Sequence, residues 1–71
     1  MNKEKIGESV GIVWRALNNN KCSWEELVKA TGLNPLELAA AIGWLAREDK
    51  ICFEPEHGIV YFEVYHEHYY W

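Results

Sequence analysis

The chain has 71 residues, with 7 basic against 11 acidic side chains and a formal net charge of −4. That length gives one core and no second domain, so a single domain over 1–71 is expected, with about 65–71 open to reading as an extension beyond the fold. The acidic balance excludes any overall attraction to phosphate or anionic lipid.

Met1-Asn2-Lys3-Glu4-Lys5 leads into an amphipathic pattern and not a long apolar run. No signal peptide or membrane span is read from it, and a cytoplasmic location is expected. Cys22 and Cys52 lie far apart and no Cys-x-x-Cys pair occurs, so both read as reduced, half-buried thiols. His66 and His68 would share one face of an extended tail, but two ligands are short of the four that structural zinc needs, so no metal or cofactor is expected. A domain this small is marginal without a staple. A second subunit is the remaining remedy, and 4 Trp and 4 Tyr in so short a chain agree with a homodimer.

Ile6, Val10, Val13, Trp14 and Leu17 recur at helical spacing, which predicts a helix from about Lys3 to Asn18 with one buried stripe. Gly7 and Gly11 lie one turn apart inside it, each costing roughly 1 kcal/mol against Ala. Either they are tolerated, or they let another backbone approach closely.

Ser23 followed by Glu26 forms a capping-box pattern and predicts a second helix from Trp24, with Leu27, Val28 and Ala30 inward. Thr31-Gly32 should close it, because glycine suits the left-handed residue after a helix. Leu33 packs inward. Asn34-Pro35-Leu36-Glu37 repeats the start signal, with Asn34 as cap and Pro35 at the first helical position. Two capped helices across a very short turn are the sequence form of a helix-turn-helix.

The third helix should run from Pro35 to about Glu48, with Leu38, Ala41, Ile42 and Leu45 facing the core. From Ile51 the period becomes two. Ile51 and Phe53 point one way, and Val60, Phe62 and Val64 alternate with Tyr61, Glu63 and Tyr65. Pro55-Glu56-His57-Gly58 reads as the turn between them. Lys21 and Cys22 offer a short additional strand between the first two helices. The order is three helices then a hairpin, an α+β winged helix-turn-helix.

Ala41-Ile42-Gly43-Trp44-Leu45-Ala46-Arg47-Glu48 resembles a family of short bacterial and archaeal winged helix-turn-helix proteins that carry Gly-Trp-Leu-Ala-Arg-Glu at this place. Ile6-Gly7-Glu8, Ile12 to Asn18, Glu26-Leu27 and Ala30-Thr31-Gly32-Leu33 are also similar to it, so the likeness covers nearly the whole chain before about Val64. The family has no assigned function. The resemblance therefore implies the fold and a kinship with DNA-binding regulators, and no catalytic residues.

DNA contact by such a fold would place the third helix in the major groove, where Arg, Lys, Asn or Gln read base edges. From Pro35 to Ala46 this helix supplies no cation, and from Phe53 to Glu63 the wing has neither Lys nor Arg. Lys21, Lys29, Asn34, Arg47 and Lys50 are the candidates for any nucleic-acid face, too few and too scattered for a face contacting about six phosphates. Arg47 serves its helix dipole equally well. Protein contact, chiefly self-association, is favoured over DNA.

Trp44 is the first interface candidate: either it covers the wing from the rim of the core, or it is an exposed anchor beside small residues. Gly7 and Gly11 join it on the close-approach reading. Tyr65, Tyr69, Tyr70 and Trp71 are more aromatic surface than a free end normally carries, so they are expected to pack on the first helix of their own chain or on a second subunit. Neither cysteine lies in a motif that would mark a reactive thiolate, and so small a chain has little room for a catalytic pocket, so no enzyme is expected.

Overall fold

A computed structural model describes residues 2–18 and 20–65. The elements are α1 (Lys3–Leu17), β1 (Cys22–Ser23), α2 (Trp24–Thr31), α3 (Pro35–Arg47), β2 (Ile51–Glu56) and β3 (Ile59–Val64). The strands form one antiparallel sheet in the order β1-β3-β2. The short strand is Cys22–Ser23, one residue later than Lys21–Cys22, because Cys22 and Ser23 pair with Phe62 and Tyr61.

Both internal helix starts are closed by side chains. Ser23 Oγ accepts from the Glu26 amide at 3.2 Å while Glu26 Oε1 accepts from the Ser23 amide at 2.8 Å. Asn34 and Glu37 repeat the arrangement before α3, with Pro35 in the first turn where a missing N–H costs nothing. Thr31 Oγ1 donates to the Leu27 carbonyl and accepts from the Leu33 amide, and Gly32 takes the left-handed conformation that ends α2.

α3 stops at Arg47, one residue short of the expected end, because its last carbonyls are claimed by the chain that follows. The Lys50 amide donates to Leu45 at 2.9 Å and the Asp49 amide to Ala46 at 3.1 Å, with Asp49 at φ 57. This is a Schellman closure with aspartate in the left-handed position that glycine usually fills.

The core gathers one line from each helix. Val13, Leu17, Leu27 and Leu38 are fully buried, and Ala41, Ile42, Leu45, Ile51, Cys22 and Val64 complete the cluster. Each large aliphatic side chain so buried stabilises the fold by roughly 1.5–3 kcal/mol. Two inward assignments need correction. The buried line of α1 is Ser9, Val13 and Leu17, while Val10 and Trp14 pack at its margin and Ile6 is only half-buried. α1 packs on α2 and β3 as well as on α3, and Val10 and Trp14, at one edge of the expected stripe, line the groove beside α3. Ala30 is exposed, since an eight-residue helix buries only Leu27 fully.

The hairpin turn is shorter than the Pro55–Gly58 reading. It comprises only His57 and Gly58, both at positive φ, and Pro55 and Glu56 belong to β2. Such a two-residue turn with both φ positive matches the twist of the strands and makes Glu56 and Ile59 the closing hydrogen-bonded pair. Alternate residues then follow, so the backbone of Ile51, Phe53 and Pro55 faces the free edge of the sheet. Pro55 is tolerated because the N–H it lacks would have pointed at solvent. No helix among the described residues is long and apolar enough to cross a membrane.

Candidate functional site

The residues that bear on function fall into three areas, beginning with the outward side of α3. Leu36 is 66% exposed, and Ala39 and Gly43 are also exposed, so the surface a winged helix would offer to DNA is apolar and small. Asn34 spends its side-chain oxygen on the Glu37 amide at 2.8 Å. Lys29 and Arg47 lie in the last turns of α2 and α3, where a cation complements the helix dipole. Lys50 is displaced to the α1 side of the molecule.

Lys21 is held by the wing. Its ammonium donates to Glu56 Oε2 and sits 5.5 Å above the centre of the Tyr61 ring. The Glu56 hydrogen bond holds the Lys21 pKa above the usual lysine value. Among the described residues this is the one ion pair, and it joins positions too distant in the chain for spacing to reveal.

The second area is a groove between α1 and α3. Trp44 is 51% exposed and lines the groove against α1. Two adjoining depressions of about 340 and 310 Å³ share Val10 and Trp44. One runs past Gly11, Trp14 and Leu45 to Arg15, Glu48 and Lys50. The other passes Ile6 and Gly7 and ends at Lys3. The structure therefore brings Gly7, Gly11 and Trp44 to one face, although they were singled out separately.

Among the described residues nothing requires either glycine: a Cβ built on Gly7 meets no atom within 4 Å, and one on Gly11 meets only the end of the Arg15 side chain, at 3.5 Å. Tyr65 is also exposed, beside Asp49, Ile51 and Cys52, and its amide donates to the Lys50 carbonyl. Tyr69, Tyr70, Trp71, His66 and His68 lie outside the described residues.

The third area is the wing itself. Phe53 and Phe62 meet edge to face at 5.2 Å, while Phe53, Ile59 and Val60 remain about half exposed. The strand period is visible in sequence, but it does not show that Phe62 continues the core only in part and that Phe53 and Val60, on the same face, stay about half exposed. Cys22 is buried and Cys52 half-buried, both as free thiols. Burial pushes both thiols up, with Glu63 adding to the effect at Cys52, the opposite of what a reactive thiolate needs.

The family model described as Winged helix-turn-helix domain (DUF2582) matches residues 1–64. The chain is 42% identical over 50 residues to Uncharacterized protein MJ1608 of Methanocaldococcus jannaschii, covering 66% of this chain and 71% of that one. It also matches the solution NMR structure of protein BT2368 from Bacteroides thetaiotaomicron with a TM-score of 0.78 at 37% identity, over 90% of this chain and 79% of that chain. With three helices, a hairpin wing and a family match over nearly its whole length, this chain belongs to the DUF2582 family of winged helix-turn-helix domains.

Proposed function

We propose that this domain is a cytoplasmic macromolecular-binding module that works through protein contact, with the α1/α3 groove joining two copies, and that it has no catalytic role. The observation that carries the reading is Trp44, a large aromatic left half exposed in an apolar groove beside two helix-interior glycines that nothing among the described residues requires. Exposed aromatics of this kind anchor interfaces, and glycines admit a second helix at short range. One face used by both copies suits a two-fold dimer.

DNA contact is the second reading, and one observation favours it. Lys29 and Arg47 are exposed and outside the single described ion pair, and a dimer would present both from each copy. Against it stand the cation-free outward side of α3 and the acidic wing. A mixture of isotope-labelled and unlabelled chain, read by isotope-filtered NOE spectroscopy, tests the groove directly. Contacts from the Trp44 indole to Gly7 and Gly11 of the second copy are expected. A dimer with no such contacts would move the interface elsewhere and defeat this reading.

A further inference from the structure

We propose that the α1/α3 groove of a single chain is occupied by that chain's own aromatic tail, His66-Glu67-His68-Tyr69-Tyr70-Trp71, so that a second copy gains the groove only when the tail leaves it. The docking stands by itself, and its consequence for dimerisation rests on the groove being the dimer face.

The root of the tail is fixed beside the groove. The Tyr65 amide donates to the Lys50 carbonyl at 2.8 Å, and Lys50 lines the groove together with Arg15 and Glu48. This bond continues the antiparallel pairing of Ile51 with Val64, so a chain that keeps its direction after Tyr65 runs back past the end of α3 towards Glu48. To reach Phe53 and Val60 on the wing it would have to reverse. Six extended residues span about 20 Å. From Arg15 to Gly7 α1 rises only about 12 Å. Residues 66–71 are therefore long enough to follow the groove from its Lys50 end to the depression at Ile6 and Gly7.

Composition matches the two surfaces. The groove walls carry Val10, Trp14, Trp44 and Leu45, and the tail brings three aromatic rings at Tyr69, Tyr70 and Trp71, which gain most from burial against such walls. Where the tail enters, Arg15 and Lys50 outnumber Glu48, and Glu67 follows Tyr65 by two residues to complement them. A tether this short holds the tail at roughly millimolar effective concentration. Because both copies must open before they meet, a tail seated about three-quarters of the time weakens dimerisation roughly 16-fold.

The test uses the full chain, labelled and mixed with unlabelled chain, so that NOEs within one chain are separated from those between copies. Contacts from the Tyr69, Tyr70 and Trp71 rings to Val10, Gly11 and Trp44 of the same chain are expected at low concentration, fading as the dimer grows in. Their absence, contacts from these rings to the second copy alone, or contacts to Phe53 and Val60 would each overturn the proposal. The triple change Tyr69→Ser, Tyr70→Ser and Trp71→Ser lies beyond the residues that the family model matches, so it spares the fold. By sedimentation equilibrium it should tighten dimerisation about tenfold or more. A weaker dimer would mean that the tail serves the second copy, and would equally overturn the proposal. Same-chain contacts with a dimerisation constant unmoved by the triple change would uphold the docking and place the dimer interface away from the groove, so the two readings fail separately.

Discussion

Replacing Gly7 and Gly11 by alanine should make the single chain more stable and its dimer weaker. Both glycines have ordinary helical backbone, since positive φ among glycines is confined to Gly32 and Gly58. Among the described residues their surroundings have room for a methyl group, with only the end of the Arg15 side chain near Gly11. An interior helical Gly→Ala change is worth about 1 kcal/mol, so the double variant should gain about 2 kcal/mol, which for a domain this size raises Tm by roughly 8–16 °C. The same methyl groups would stand where a second helix approaches the groove, and self-association should fall about tenfold or more. Tryptophan fluorescence in urea at submicromolar chain reads the first effect, and sedimentation equilibrium at higher concentration reads the second. A stability gain with an unchanged dimerisation constant would show that the groove does not form the interface. A loss of single-chain stability would contradict the open surroundings of the two glycines.

Trp44→Ala should change single-chain stability by less than about 1 kcal/mol, because half the ring is already in water, yet weaken the dimer by about 2 kcal/mol as an interface anchor; calorimetry at low and high concentration separates the two. Asp49→Gly should raise the urea midpoint, with a gain of about 0.5–1 kcal/mol from relief of the left-handed backbone, whereas Gly58→Ala at φ 82 should lower stability by about 1 kcal/mol. Folding holds both thiols above their unfolded pKa, so their contribution to stability is complete below the unfolded value of about 8.5 and is lost as pH rises through the higher folded values. Urea unfolding above that pH should therefore fall off less steeply for a Cys22→Ala, Cys52→Ala double variant than for the native chain.

The helical half of the fold was legible because its signals are local. Ser23 with Glu26, Asn34 with Glu37, Pro35 and Gly32 each act within one turn, and the α3 line of Leu38, Ala41, Ile42 and Leu45 is buried as its spacing implies. What spacing does not encode is the reach of the core. The α1 line is shifted to Ser9 because α1 packs on several elements at once, and the hairpin alternates correctly but, among the described residues, extends beyond the core. Pro55 and Glu56 have the composition of a turn, yet a free sheet edge admits the one and the Lys21 ion pair holds the other within β2.

Of the site, Trp44, Gly7 and Gly11 were visible as separate oddities: an apolar residue at the margin of a core stripe and two poor helix formers. That they share one groove depends on how α1 and α3 cross, which only the tertiary structure gives. The pairing of Lys21 with Glu56 bridges the sheet and removes one candidate cation that the sequence had left free.

Sedimentation equilibrium of the chain, alone and with a random-sequence duplex at low salt where electrostatic binding is strongest, decides between self-association and DNA contact. A dimer mass should grow in with chain concentration and stay unchanged when duplex is added. A monomer that binds the duplex, with affinity falling steeply as salt is raised, would contradict it.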